Sequence, residues 1–196
     1  VTPDVLIPRQ DTEVLVEECL RHLVPGNIFL DLCTGSGCIL VSLLHYAKGT
    51  AGTGADLSGK ALSVAKGNVE ANGVEARLVQ GDLFEPVTGT FDLIVSNPPY
   101  IASAEIEMLA PEVREHEPRM ALDGTADGLF FYRRIVQESP SYLKEGGWLC
   151  MEIGYDQGAA VRQLMETRGF VTVSVIKDLA GLDRVVSGCY RRNRNV

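Results

Sequence analysis

The chain has 196 residues, 45% of them hydrophobic, and a formal net charge of −8. That size and apolar content bury a substantial core in one domain, while no apolar run approaches the ~20 residues of a membrane span. The start carries neither the basic nor the apolar region of a signal peptide, so a cytoplasmic protein is expected. The acidic balance argues against direct contact with nucleic acid, whose phosphates are bound by clustered Lys and Arg; the one basic cluster, Arg191-Arg192-Asn193-Arg194, reads as a solvated end. The five cysteines lie mostly in apolar segments with no CxxC pair, which points to reduced core residues rather than disulfides or a zinc site. His22, His45 and His116 are scattered without ligand spacing, so no metal is expected.

Leu15, Cys19 and Leu23 follow Asp11 at helical spacing and predict a capped amphipathic helix over residues 11–23. An apolar run at 28–33 reads as a buried strand leading into Thr34-Gly35-Ser36-Gly37 and a helix over 38–46. Strand, glycine turn and helix form a nucleotide-binding corner, in which Gly35 and Gly37 let the backbone approach a ligand closely. A dinucleotide fingerprint would need a third small residue where Leu40 stands, which argues against NAD and against a pyrophosphate. A strand near Gly54 ends at Asp56, about 20 residues past the glycines, where a ribose hydroxyl pair would be bound. After a helix over 59–71, closed by Asn72-Gly73 as a left-handed cap closes one, a strand at 76–79 leads to Asp82 and Phe84. Asp82 could accept from an adenine amine and Phe84 could cover the ring; taken singly, an Asp at a strand end reads as a helix cap.

The next strand, residues 91–96, runs into Asn97-Pro98-Pro99-Tyr100. The prolines lack backbone N–H groups and have fixed φ, so the turn offers carbonyl oxygens without competing donors. Those carbonyls and the Asn97 side-chain oxygen can accept both hydrogens of an NH2 group while Tyr100 packs on its flat face. The arrangement suits methylation of a planar nitrogen held in line with a donor, catalysed mainly by positioning.

Residues 101–126 are too polar and too rich in Pro and Glu for core, and a connection of that length in a compact domain is usually functional. Their place after Tyr100 makes them the expected lip of a substrate cleft, the alternative being a disordered insertion. A helix over 128–143 contains Pro140, which should kink it or end it early. A strand at 148–153 entered by Gly146-Gly147, a helix over 157–168 and strands at 171–176 and 184–190 complete the chain, the last two pairing antiparallel. This alternation predicts an α/β fold with a mostly parallel sheet of seven strands, an antiparallel last strand, helices on both faces and a ligand at the carboxyl ends of the strands.

With these motifs in order, the chain resembles the Rossmann-like class I methyltransferases that use S-adenosylmethionine, and among them the release-factor glutamine methyltransferases. The resemblance covers nearly all of the chain: Leu6 to Glu13, Asp31 to Gly37, Gly81-Asp82-Leu83-Phe84, Phe91 to Ile101, Glu117-Pro118, Asp127-Gly128-Leu129, Phe131-Tyr132-Arg133, Glu152-Ile153-Gly154 and Asp178 to Val186. It implies methyl transfer to the glutamine amide of the Gly-Gly-Gln loop of peptide-chain release factors, leaving S-adenosylhomocysteine. It assigns the donor to Cys33, Thr34, Gly35, Ser36, Gly37, Asp56, Asp82 and Phe84, with Asn97 at the border, and the accepting glutamine to Asn97, Pro98, Pro99 and Tyr100. Residues 8–13 would border the donor's methionine end or the substrate channel, although Arg9 and Glu13 equally suit capping and the surface.

Three departures from the family pattern stand out. Cys33 occupies a position where Gly is usual, Gln10 one where Pro is commoner, and the chain begins at Val1 without the small helical domain that precedes Leu6 in the family. Residues 1–196 are therefore expected to be a single catalytic domain. Cys33 is also similar to the sister family acting on a glutamine of a ribosomal protein, and Asn-Pro-Pro-Tyr is shared with adenine methyltransferases of DNA and RNA. The carboxyl half resembles the release-factor enzymes.

Overall fold

The computed structural model describes residues 2–192, so Val1 and residues 193–196, including Asn193 and Arg194 of the basic tail, lie outside the described residues. Five strands follow one another in the first half of the fold's logic: β1 (Ile28–Leu32), β2 (Ala51–Asp56), β3 (Ala76–Gln80), β4 (Phe91–Ser96) and β5 (Leu143–Glu152), with β6 (Phe170–Lys177) and β7 (Asp183–Tyr190) closing the chain. They form one seven-stranded sheet in the order β3-β2-β1-β4-β5-β7-β6. All neighbouring pairs from β3 to β5 are parallel, while β7 runs antiparallel to both β5 and β6. The antiparallel last strand of the sequence reading is thus inserted between β5 and β6.

Alternation along the buried strands divides the core into two layers. Leu30, Leu32, Ile94, Leu149 and Met151 face a cluster with Tyr132 and Ile135 of α7 (Phe130–Glu138) and Val161 and Met165 of α8 (Gly158–Arg168). Phe29, Leu93, Val95 and Cys150 face Leu15 and Cys19 of α1 (Thr12–Leu20), Leu40 and Leu43 of α2 (Cys38–Tyr46) and Val69 of α3 (Gly59–Ala71). Leu40 has a packing role as well: a Cβ on Gly52 or Gly54 of β2 would stand 2.8 Å from its methyl groups, so the glycines of β2 make room for α2.

Several element ends differ from expectation. The first helix stops at Leu20, and Asp11 does not cap it with its side chain; the Asp11 carboxylate lies 3.3 Å from Arg184 Nη2 instead. The helix containing Pro140 stops at Glu138 and passes into a 3-10 turn, Ser139–Ser141, as a missing donor dictates. It starts at Phe130 rather than residue 128 because Gly128 has φ +70°. β5 begins five residues early, because Leu143 pairs with Phe91 before an irregularity resets the register to Leu93 opposite Trp148, with Gly146 at φ +80° between. Residues 101–126 are neither strand nor long helix. They fold as α4 (Ser103–Ile106), α5 (Pro111–Arg114) and α6 (Arg119–Leu122), tied down by an Ile101 to Asp123 bridge and by buried Ile106, Glu117 and Leu122. Among the described residues no helix is long and apolar enough to cross a membrane.

Candidate active site

The chain visits β1, β2 and β3 outward and then returns to β4 beside β1, so the crossover direction reverses between β1 and β4. Open α/β sheets bind ligands at the carboxyl ends of the strands at such a switch point. Register does the rest. Leu32 pairs with Ala55 on one side and with Ser96 on the other, and Ser96 pairs with Met151, whose neighbour Glu152 pairs with Val185. Cys33 and Asn97, the first residues beyond β1 and β4, therefore emerge beside Asp56, the last residue of β2, flanked by Glu152 and Arg184. Residues far apart in sequence meet along one sheet edge.

The donor half of this edge is built mainly by backbone. Gly35 and Gly37 have φ +56° and +75°, the left-handed region that favours glycine. Gly35 opens onto the cleft, whereas Gly37 serves helix packing, since a Cβ there would stand 3.1 Å from Ala65 Cβ of α3. Cys33 takes φ +57°, which explains in physical terms why glycine suits that position. Cys33 is half-buried, and its thiol is pushed far up by desolvation and by the nearby Asp56 carboxylate, so it stays protonated. Asp56 accepts from the Gly35 N–H at 2.8 Å and from the Ser58 N–H at 2.9 Å, one to each oxygen. It fastens the turn after β1 to the end of β2 and keeps lone pairs facing the cleft.

Cys33, Thr34, Gly35, Ser36, Asp56, Asp82 and Asn97 all line one cleft, together with Leu57, Leu83 and Pro99. Val5, Leu6 and Pro8 cover it from one side, and Pro118, Met120 and Ala121 from the other. Residues 101–126 thus contribute a lip, as their place in the chain implies. An ion pair between Arg9 and the buried Glu117 joins the two covers.

Phe84 is a correction. Its ring is 1% exposed, stacked on Tyr142 at 4.5 Å within the core, and absent from the cleft lining. Leu83, at φ +49°, packs in the same core cluster but also reaches the cleft lining, which Phe84 does not. Leu57 and Leu83 are among the apolar groups of the cleft lining, with Ile39 and Phe131. Asp82 does line the cleft, but Arg134 Nη1 donates to both of its oxygens, at 3.0 and 2.8 Å. Pro98 is buried and Tyr100 half-buried, and neither lines the donor cleft. The Tyr100 hydroxyl is pushed up to about 12 by burial and by the Glu152 carboxylate, so it remains a neutral donor.

Two carboxylates behind the site were not among the residues assigned to donor or acceptor. Asp31 is fully buried beneath the glycine turn, where Thr34 Oγ1 donates to Oδ2 at 2.6 Å while Oδ1 has no partner among the described residues. Burial, against the Thr34 hydrogen bond, raises it from its ordinary 3.8 to about 7. Glu152 is 2% exposed, accepts from Thr12 Oγ1 at 2.7 Å and faces the Asn97 amide; burial raises it, opposed by Thr12, Arg184 and Asn97. Both residues read as strand core from sequence, and only the parallel register turns them toward the edge.

This edge fits S-adenosylmethionine. The left-handed Gly35 turn gives close backbone approach and Asp56, on the cleft lining, suits a diol, while buried Asp31 beneath the turn keeps one oxygen without a partner among the described residues. Residues 10–115 match the family model of the methyltransferase small domain. Release factor glutamine methyltransferases from Geobacter sulfurreducens and Cereibacter sphaeroides are each 49% identical, over 96% and 95% of this chain and 66% and 67% of their own lengths. The chain belongs to the release factor glutamine methyltransferase family. It spans about two thirds of the length of these two relatives. A solved protein-(glutamine-N5) methyltransferase, release factor-specific, from Alicyclobacillus acidocaldarius matches at 34% identity and a TM-score of 0.59, covering 98% of this chain and 99% of that one. Against the family pattern, the Cys33 substitution keeps the left-handed turn that a glycine would adopt.

Proposed function

We propose that this chain transfers a methyl group from S-adenosylmethionine to the side-chain amide nitrogen of the glutamine in the Gly-Gly-Gln motif of cytoplasmic peptide-chain release factors. The observation that carries the reading is the pairing of Leu32 with Ser96, which sets the glycine turn and the Asn97 turn side by side on one cleft. Cys33, Thr34, Gly35, Ser36 and Asp56 would hold the donor, with Asp82 near its adenine and Asp31 below its ammonium. When bound, it supplies an electrophilic methyl group on a sulfonium.

The acceptor side follows from what the residues can donate and accept. Glu152 faces the Asn97 amide and, as an acceptor, turns the Asn97 NH2 toward itself and leaves the Asn97 oxygen for an incoming NH2 group. The Pro98 carbonyl takes the second hydrogen, since no proline N–H competes for it. Tyr100 packs against the amide plane. An amide nitrogen is a weak nucleophile, so holding both of its hydrogens and its direction of approach is the contribution required of the protein. No strong base is needed beforehand, because the methylated nitrogen readily gives its extra proton to water or a carbonyl.

A transfer assay with labelled donor tests the reading. The acceptors are a release factor with an intact Gly-Gly-Gln loop, the same factor with that glutamine changed to alanine, a glutamine-bearing ribosomal protein and an adenine-containing duplex. Label on the intact factor alone is expected; label confined to the ribosomal protein or the duplex would reassign the substrate.

A further inference from the structure

The turn carrying Asn97 and Tyr100 lies beyond the sheet ladder, between Ser96, the last paired residue of β4, and Ile101, which bridges Asp123. It is gripped from behind by a side chain far along the sequence. Gln157 Nε2 donates to the Tyr100 carbonyl at 2.9 Å and lies 3.5 Å from the Gly128 carbonyl. Gln157 Oε1 accepts from the Gly154 N–H at 3.0 Å and lies 3.3 Å from the Tyr132 hydroxyl, which donates to the Glu152 carbonyl at 2.9 Å. Both ends of the amide are engaged, and the network links the acceptor turn to the end of β5.

Two glycines also close in on Tyr100. A Cβ on Gly124 would stand 2.7 Å from Tyr100 Cα, and one on Gly128 would stand 2.4 Å from the Tyr100 carbonyl oxygen and 2.6 Å from Gln157 Nε2. The backbone at Tyr100 is therefore fixed by close contact and by one directional hydrogen bond. Gln157 precedes α8 at its N-cap position but makes no side-chain cap; its amide is committed to the turn instead.

We propose that Gln157 is a positioning residue for the acceptor, fixing the Tyr100 carbonyl and with it the orientation of residues 97–100 during methyl transfer. The identity of the acceptor rests on the function proposed above. Gln157 does not line the cleft, so its influence passes through Tyr100. Gln157→Glu keeps an acceptor for the Gly154 N–H and the Tyr132 hydroxyl but replaces the donor to Tyr100 by a second acceptor. Gln157→Met keeps the volume without either function.

Both variants are expected to lower kcat on the release factor about 10- to 100-fold, as a misplacement of about 1 Å does, with the donor dissociation constant held within about twofold. A role confined to the Gly154 turn and the start of α8 predicts that Gln157→Glu retains wild-type kcat; that result, or an equal loss of donor affinity, would overturn the inference. A second readout does not depend on the acceptor: protein carrying 3-fluorotyrosine, with the Tyr100 line assigned by Tyr100→Phe. The Tyr100 fluorine line should move or broaden in Gln157→Glu, and an unchanged line would overturn the inference. A wild-type protein inactive on the release factor would count against the proposed function, leaving the fluorine line to decide the role of Gln157.

Discussion

The two halves of the cleft are built in different ways. On the donor side, Cys33, Gly35 and Gly37 are left-handed, and the turn is fixed mainly through backbone groups: Asp56 accepts from the Gly35 and Ser58 N–H groups, Thr34 N–H donates to the Ala55 carbonyl, and Asn68 donates to the Ser36 carbonyl at 2.8 Å. On the acceptor side, the turn of residues 97–100 makes no ladder and is held by side chains and close glycines from elsewhere: Gln157, Glu152, Gly124 and Gly128, with Thr12 and Arg184 around Glu152. The donor half is shaped mainly by backbone groups, whereas the acceptor half is held mainly by side chains. Substitutions should therefore separate affinity from turnover according to the half in which they fall.

The sharpest test of that division is Asn97→Ala, expected to lower kcat about 100-fold or more while the donor dissociation constant stays within about threefold, by single-turnover transfer and calorimetry. A matching loss of donor affinity would erase the distinction between the halves. Asp56→Ala should do the reverse, weakening donor binding by about 10- to 100-fold through loss of charge-assisted hydrogen bonds, with kcat at saturating donor little changed.

Asp31 sharpens the donor side through pH. Its folded value near 7 lies above its unfolded 3.8, so between those values the native state binds the proton more tightly than the unfolded chain does. Its contribution to stability accordingly falls as pH rises through that window, and the penalty is complete above about 7. Melting temperatures of ligand-free wild type and Asp31→Asn, compared at pH 5 and pH 8, should show a flatter pH dependence in the variant; parallel slopes would contradict the assignment. The smallest effect belongs to Phe84→Leu, expected to cost about 1 kcal/mol of stability in denaturant titration with donor affinity unchanged. Weakened donor binding there would return Phe84 to the cleft.

The α/β alternation and the position of the cleft at the carboxyl ends of the strands were legible because each depends on short-range signals: apolar runs, glycine turns and Pro-containing exits. That Gly35, Asp56, Asp82 and Asn97 lie on one cleft follows from the same signals. The burial of Phe84 was not legible, because its ring stacks on Tyr142, a partner far along the sequence that no neighbouring residue announces. The three short helices of residues 101–126 escaped because segments of that length are stabilised by what they pack on rather than by propensity.

By itself the sequence determined the α/β alternation, the family and the two motifs, since these rest on periodicity and backbone chemistry within a few residues. Tertiary structure decided the rest: that parallel register sets Cys33, Asp56, Asn97 and Glu152 in one row, that Asp31 sits charge-averse beneath the turn, and that Gln157 reaches Tyr100. Those relations depend on which strands lie adjacent and on burial, and both are settled only when the whole sheet closes over its two cores.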